Sequence, residues 1–330
     1  MKGAIFVILV GPGEKEKQRL YDFLATLLFF EKEVLARSTL LLVNDCNLSL
    51  DHGDVAARFK CRQVVCLDNP YSGRVGGELV YDRLTAGIWA ALARVIELEE
   101  PHFVLKADTD ALVCGPFATR LEEYFRKNPR VGMLGSVVHH PDGTRRNTEE
   151  WWANWIRSTC GPLPHQWLRL LRRGRTPLKW RDEWCRWRAR LALYRRALSA
   201  DWSCGTNILG GAYALSPAAL RQLREKRVWW EDRFMFNGTR MSEDVALSML
   251  IAALGLPLAE YNRPGEVFAI WYQKPSLPMR EIIERGYGLV HSIKDPVPDV
   301  ELEMRLGLAN LVGIPEEFRT ATGSFRGIPM

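Results

Sequence analysis

The sequence predicts an α/β fold with a mixed, mainly parallel sheet flanked by helices. Through the first half of the chain, short apolar segments rich in β-branched residues alternate with helical segments. Alternation at this spacing is typical of parallel strands joined by helical crossovers. Several of the apolar segments end in Gly, Asn or Asp, which terminate strands. The chain has 330 residues, of which 47% are hydrophobic and 25% charged, so it is long and apolar enough to bury a sizeable core.

The elements of the first half follow from local patterns of apolar residues. Short continuous apolar runs predict buried strands, whereas apolar residues spaced three and four apart predict helices. The predicted strands are 4–10, 39–43, 63–67, 103–107 and 131–138. The predicted helices are 18–30, 79–99 and one whose C-terminal part is 122–127.

The second half is less regular. Its predicted elements are a strand around 207–215, a helix from Pro217, a loop over 229–241, a helix over 243–254 and a strand over 266–272. After Asp295 the chain is rich in Pro and Gly, which predicts turns in a C-terminal tail over 296–330.

Residues 143–199 form a separate, basic and aromatic insert that we expect to be helical. Although the whole chain has a net charge of only +6, residues 145–196 contain 14 basic and 4 acidic side chains and seven of the twelve tryptophans. One predicted helical face presents Trp180, Trp184, Trp187, Leu191 and Tyr194. An adjacent stripe presents Arg181, Arg188 and Arg195. This face either packs on the main domain, contacts a membrane or lipid-linked acceptor, or binds a water-soluble anionic acceptor. We do not expect nucleic acid.

The sequence predicts a cytoplasmic protein. The first apolar run, 4–10, is followed by Gly-Pro-Gly and a charged helix, which favours a buried strand over a signal peptide. No segment approaches the length of a transmembrane helix. Seven cysteines without a CxxC pair argue against a disulfide framework and a zinc ribbon. If the protein contacts the inner face of the membrane peripherally, we expect residues 151–198 to make that contact.

Asp108 and Asp110 form a candidate metal site. They follow the fourth predicted strand in the string FVLKADTDALV, where both carboxylates can face one divalent cation. Hard oxygen ligands suit Mg²⁺ or Mn²⁺. A solvent-exposed turn that binds no metal could have the same sequence. However, Gly11, Asp45 and Asp68 also follow predicted strands, and the carboxyl ends of parallel strands share one ligand-binding edge.

Three motifs in the second half each allow two interpretations. The pair Gly210-Gly211 allows close approach to a bulky ligand, or simply makes a bulge. Glu243 and Asp244 open a helix, where they stabilise its dipole or supply a general base for a hydroxyl. His291 is a lone histidine, either structural or a ligand.

Taken in order, these motifs resemble those of the GT-A glycosyltransferases, which use nucleotide sugars and one metal ion. Within them the chain is most similar to the inverting β-1,3-type, Fringe-like group. The resemblance covers residues 1–142 and 200–295 and excludes the insert. The matching strings are Asp82-Arg83-Leu84-Thr85, Asp108-Thr109-Asp110, Gly210-Gly211-Ala212-Tyr213, Glu243-Asp244-Val245 and His291. The chain departs from the family in having Asp-Thr-Asp where three consecutive acids are usual.

The resemblance implies a GT-A, Rossmann-like fold and assigns roles to the metal and catalytic residues. Asp110 would bind Mn²⁺ or Mg²⁺ directly, Asp108 would bind it through water or contact the ribose, and His291 would be a further ligand. Asp244 would be the general base, and Glu243 would hold the acceptor or an adjacent loop.

The resemblance also implies a UDP-sugar donor and a glycan or lipid-linked acceptor. Residues 1–142 would bind the nucleotide sugar and residues 200–295 the acceptor. The residues assigned to the donor site are Val10, Gly11, Asp45, Arg83, Lys106, Asp108, Gly210 and Gly211.

Two alternatives to a glycosyltransferase remain. A sugar nucleotidyltransferase would need a longer, glycine-rich and more basic segment than 11–15 after the first strand. A non-catalytic protein would instead dock on membranes through the insert.

Overall fold

The computed structural model describes residues 3–44, 50–70, 80–147, 149–161, 177–227, 230, 235–236, 238–272 and 274–315. The strands are β1 (Ile5–Val10), β2 (Thr39–Asn44), β3 (Gln63–Asp68), β4 (Val104–Asp108), β5 (Leu112–Val113), β6 (Met133–Gly135), β7 (Ala212–Leu215), β8 (Leu258–Glu260), β9 (Phe268–Ile270) and β10 (Leu289–His291). The helices are α1 (Glu14–Leu35), α2 (His52–Phe59), α3 (Val80–Val95), α4 (Ala118–Lys127), α5 (Glu149–Cys160), α6 (Pro177–Ser199), α7 (Pro217–Glu225), α8 (Glu243–Ala253), α9 (Met279–Glu284) and α10 (Pro298–Leu311).

The predicted fold class is confirmed: a seven-stranded, mainly parallel sheet is flanked by helices. The strand order is β3-β2-β1-β4-β7-β6-β8. β1 is parallel to β2 and β4, β2 is parallel to β3, and β6 is parallel to β8, whereas β7 runs antiparallel to both β4 and β6. A smaller sheet, β5-β10-β9, begins just after the metal motif and contains His291.

The continuous apolar sequence of β1 reflects burial on both faces of the sheet. Phe6 and Ile8 belong to the hydrophobic core that includes side chains of α1. Ile5, Val7 and Leu9 face a second core that includes side chains of α3 and α8. Successive strand residues point to opposite faces, so a strand covered on both sides must be apolar at every position.

Distant carboxylates bind the backbone at the start of one helix and beyond the end of one strand. Helix α4 ends at Lys127, as predicted, and Glu31 caps its start by accepting hydrogen bonds from the backbone N–H groups of Phe117 and Ala118. Strand β6 ends at Gly135 rather than 138, since Glu260 accepts hydrogen bonds from the backbone of residues 137–139. Backbone N–H groups at a helix start or beyond a strand end lack a partner within the element, and these carboxylates supply the acceptor.

The prediction of turns after Asp295 was wrong for helix α10. Glu301 and Arg305 of this helix are buried and form ion pairs with Arg19 and Asp22 of α1. The apolar side chains of Leu308 and neighbouring residues join the core beside α1. This long-range pairing stabilises a helix that the local composition does not indicate.

The insert is helical in its described part, α5 and α6. Along α6, Leu191 and Tyr194 are buried in the second hydrophobic core, whereas Trp184 is 43% exposed. The C-terminal part of the predicted aromatic face therefore packs on the main domain. The side chain of Trp180 lies outside the described residues.

None of the helices among the described residues is long and apolar enough to cross a membrane. The described cysteines are free thiols, as the sequence predicted.

Candidate metal and catalytic site

Asp108 and Asp110 lie at the carboxyl end of β4, where a tight turn brings both carboxylates to one side. The backbone N–H of Ala111 donates to the carbonyl of Asp108 at 3.1 Å, which closes the turn. Thr109, between the two acids, points elsewhere: its hydroxyl donates to the carboxylate of Glu16 on α1. The turn therefore separates a pair of ligand side chains from a residue that anchors the motif to α1.

Strand pairing brings His291 to this turn from the far end of the chain. β5 directly follows the motif and pairs antiparallel with β10, at whose end His291 lies. The backbone N–H of Ile293 donates to the carbonyl of Asp110 at 2.8 Å and holds the two segments in register. No local sequence pattern predicts this contact, because about half of the chain separates Asp110 from His291.

The hydrogen bond of His291 directs its other nitrogen toward the acids. Nδ1 lies 3.1 Å from the carbonyl oxygen of Trp271, an acceptor only, so we assign the proton to Nδ1. Nε2 then presents its lone pair 3.2 Å from Oδ1 of Asp110 and 3.6 Å from Oδ2 of Asp108. A backbone acceptor that fixes the tautomer in this way is typical of metal-binding histidines.

Each carboxylate has one oxygen held by a cation of the protein and the other facing His291. Oδ1 of Asp108 lies 2.7 Å from Nζ of Lys106. Oδ2 of Asp110 accepts from the hydroxyl of Ser292 at 2.6 Å and lies 3.3 Å from Nζ of Lys294. Oδ2 of Asp108, Oδ1 of Asp110 and Nε2 of His291 are thus oriented as three single-atom ligands.

This donor set fits a divalent cation. The three ligand atoms lie within 4.8 Å of one another. Neighbouring ligands in an octahedral site lie roughly 3 Å apart when each is about 2.1 Å from the ion, close to the His291–Asp110 spacing.

The electrostatics of the site are dominated by burial and by the close charges. Burial alone would raise the pKa of Asp110, yet His291 and Lys294 hold that pKa well below its ordinary value. Burial outweighs the opposing effect of Lys106 and raises the pKa of Asp108. The two acids outweigh burial and raise the pKa of His291 above its ordinary value. A cation must therefore displace a proton from His291 when it binds at moderately acidic pH.

A cleft of about 400 Å³ opens beside these ligands, within the usual size range of small-molecule sites. Val10, Gly11 and Arg83, three of the predicted donor-site residues, line it together with Asp108 and Asp110. Asp45, another predicted donor-site residue, lies outside the residues that the structure describes.

Lys106 lies behind the cleft rather than in its lining. It is 2% exposed and places its ammonium between Asp108 and Glu243, 3.1 Å from Oε1 of the latter. It also donates to the carbonyl of Gly210 at 2.5 Å. Burial would lower the pKa of Lys106, but the two acids raise it above its ordinary value, so the ammonium stays charged.

The pair Gly210-Gly211 is required by close protein side chains, where the sequence left open a bulky ligand or a bulge. A Cβ on Gly211 would lie 2.0 Å from Nδ1 of His291. A Cβ on Gly210 would lie 2.6 Å from Oε1 of Glu243. The glycines let the backbone of this turn pack directly behind the metal ligands and the start of α8.

Gly211→Ala is expected to destabilise the protein by more than about 3 kcal/mol and to abolish Mn²⁺ binding, because the methyl group overlaps the ring of His291. Gly307→Ala is the matched control. A Cβ on this helical glycine meets no atom within 4 Å, so the change should stabilise α10 by about 0.5–1 kcal/mol. Thermal unfolding and Mn²⁺ titration of both variants measure the difference. A Gly211→Ala protein with unchanged metal affinity would contradict this packing.

Glu243 and Asp244 both lie in the first turn of α8, yet their surroundings differ. Glu243 is paired with Lys106. Among the described residues, Asp244 has no ion pair within 4 Å, and its Oδ1 accepts from the backbone N–H of Val245, at 2.9 Å. Burial raises the pKa of Asp244. Burial likewise raises the pKa of Glu243, so the ion pair with Lys106 is the main difference between the two carboxylates.

Sequence reasoning missed Lys294 and Glu16, which also line the cleft. Lys294 follows His291 by three residues, and its side chain is half exposed beside Asp110. Its closeness to His291 in the sequence is the feature that could have identified it. Glu16 is one of several charged residues at the start of α1, and nothing in the sequence distinguishes it from the others.

Comparison with known proteins assigns no family. No family model matches the chain, and no curated protein matches it. Among solved structures, the crystal structure of apo mouse xyloside xylosyltransferase 1 is similar over 77% of this chain and 81% of its own, with 13% identity and a TM-score of 0.39. A likeness this distant assigns no activity, so function must be derived from the site itself.

Proposed function

We propose that the protein is a metal-dependent glycosyltransferase that transfers a sugar from a nucleoside-diphosphate donor to a hydroxyl group of a glycan or lipid-linked glycan. One observation carries the proposal: three oriented ligand atoms for a divalent cation lie at the mouth of a cleft that also presents two basic side chains. A nucleotide diphosphate needs this combination of a cation and positive side chains. Mn²⁺ and a UDP-sugar are the expected metal and donor.

The cleft residues have distinct tasks in this proposal. When bound, the cation neutralises the charge that develops on the leaving diphosphate. Lys294, which lines the cleft beside Asp110, binds a phosphate oxygen. Arg83 binds the diphosphate from the opposite element, α3. Val10 and Gly11, at the end of β1, border the nucleotide.

We assign the general base to Asp244. Its carboxylate takes the proton of the acceptor hydroxyl as that oxygen attacks the anomeric carbon. A single displacement of this kind inverts the configuration of the sugar. Glu243 does not serve as base because Lys106 holds it. Glu243 and Lys106 instead keep Asp108 oriented for the cation.

Calorimetric titration of UDP into the protein, with Mn²⁺ and with EDTA, tests the proposal. We expect UDP to bind with Mn²⁺ and to lose most of its affinity in EDTA. Equal UDP affinity in EDTA would support the nucleotide site but exclude a role for the metal in binding UDP. If UDP, GDP, CDP and dTDP all fail to bind with Mn²⁺ present, the proposed function is wrong.

A further inference from the structure

A buried cluster of four charged side chains joins α1 to α10 beside the candidate site. Arg19 donates from Nε and Nη2 to the two oxygens of Glu301, at 2.7 and 2.6 Å. Arg305 donates to Glu301 at 3.2 Å and to Asp22 at 3.0 Å. All four residues are less than 9% exposed. Glu301 accepts from both arginines and is the centre of the cluster.

One branch of this cluster reaches the metal turn from α1. Arg19 also donates from Nη1 to Oε1 of Glu16. The other oxygen of Glu16 accepts from the hydroxyl of Thr109, the residue between the two metal-site aspartates. The chain of contacts runs from Glu301 through Arg19 and Glu16 to Thr109, without an intervening gap.

A second branch reaches the same turn through the segment after His291. Arg305 donates from Nη2 to the carbonyl of Ile293 at 3.1 Å. The backbone N–H of Ile293 donates in turn to the carbonyl of Asp110. Glu301 and Arg305 therefore restrain the backbone on which Lys294 lies, between its neighbours Ile293 and Asp295.

Stability alone does not explain a buried ionic cluster at this place. Desolvation of the charges offsets much of their attraction, and apolar side chains of similar volume often give equal stability. Directional, charge-assisted hydrogen bonds instead hold their partners in one geometry. Here the partners are the two backbone segments that carry the metal ligands and the phosphate-binding lysine.

We propose that Glu301 is a positioning residue for the cation and diphosphate site, acting through Arg19 and Arg305 on the turn 108–111 and the segment 292–294. The inference rests on the proposed function, but the restraint that Glu301 places on this turn and this segment does not depend on a bound ligand. Side-chain hydrogen bonds from Arg19 and Lys15 outweigh burial and lower the pKa of Glu301 to about 2. The carboxylate thus stays ionised at every pH at which the protein would work.

Glu301→Gln, which keeps the volume and removes the charge, tests the proposal. Glu183→Gln is the matched control, because Glu183 also pairs with a buried arginine, Arg190, at 2.7 Å but lies in the insert. Both variants should lower the melting temperature. Hydrogen–deuterium exchange is measured without metal, and Mn²⁺ affinity by calorimetry.

For Glu301→Gln we expect at least about tenfold faster exchange at the amides of Ala111 and Ile293, together with Mn²⁺ binding about tenfold weaker, the loss seen when supporting partners of metal ligands are removed. Glu183→Gln should change neither. Unchanged exchange at both amides in Glu301→Gln, or the same increase in Glu183→Gln, would overturn the proposal.

Arg305→Lys is the second variant, in case Glu301→Gln does not fold. It keeps the charge but cannot reach Asp22 and the carbonyl of Ile293 together, so exchange at Ile293 should rise more than exchange at Ala111. Equal exchange at Ile293 in this variant and the wild type would also overturn the proposal. If the wild type itself binds no Mn²⁺, the proposed function fails, while the exchange experiment still decides whether Glu301 positions the turn.

Discussion

Asp110→Asn is expected to weaken Mn²⁺ binding by at least about 100-fold and to remove metal-dependent UDP binding. The carboxylate presents Oδ1 toward His291 while Ser292 and Lys294 hold Oδ2. The variant loses a charged ligand of the cation, a larger change than loss of a supporting hydrogen bond, which costs about 10–100-fold. Calorimetric titration of Mn²⁺, followed by UDP, measures both effects.

Asp142→Asn is the matched control for this experiment. Asp142 also lies in a tight turn, where its Oδ1 accepts from the backbone N–H and hydroxyl of Thr144, and it does not line the cleft. Its substitution should leave Mn²⁺ affinity unchanged. If Asp110→Asn bound Mn²⁺ as tightly as the wild type, another group would have to hold the cation, and the proposed metal site would be wrong.

Asp244→Asn is expected to reduce sugar transfer by about 10²–10⁴-fold, the usual contribution of a general base, while nucleotide and Mn²⁺ affinities stay within about threefold of wild type. Asp244 is not among the residues that line the nucleotide cleft, so the change should leave the donor bound. Once a donor sugar is identified, single-turnover rates and UDP titration separate these effects. Full activity in Asp244→Asn would exclude this residue as the base.

Glu243→Gln provides the contrast, since it alters the neighbouring carboxylate of the same helical turn. Because Glu243 shares Lys106 with Asp108, its loss should weaken Mn²⁺ binding as well as the rate. The pH profile gives a second distinction. Burial raises the pKa of Asp244, and a base must be ionised, so transfer should fall on acidification at a higher pH than an exposed aspartate would give.

The sequence correctly indicated those parts of the molecule that depend on near neighbours. The apolar runs of β1, β2 and β4 determine strands that are buried on both faces. A strand with one exposed face would alternate apolar and polar residues instead. Asp108 and Asp110 could be selected as metal ligands because a strand end followed by two spaced acids is a local pattern. Boundaries such as the start of α4 could not be found, since the carboxylate of Glu31 that caps it lies 86 residues away.

Some features of the site follow from local sequence patterns, whereas others depend on the tertiary structure. Local patterns identified Gly210 and Gly211 as positions of close approach to a ligand or of a bulge, and the structure shows that the side chains of His291 and Glu243 lie against them. The same limitation applies to Lys106, whose position next to the acids suggested ligand binding. In the fold its ammonium is enclosed by two carboxylates, a relation that no linear spacing specifies.

The sequence by itself determined the α/β class, the acidic end of β4, the acidic start of α8 and the presence of a helical insert. Each of these depends on residues within one element, where periodicity and composition act directly. Only the tertiary structure decided which oxygen of each aspartate faces His291, that Glu243 rather than Asp244 pairs with Lys106, and that 298–311 is a helix packed on α1 through ion pairs. These relations arise from hydrogen bonds and ion pairs between elements far apart in the chain, whose geometry is set by sheet pairing and burial.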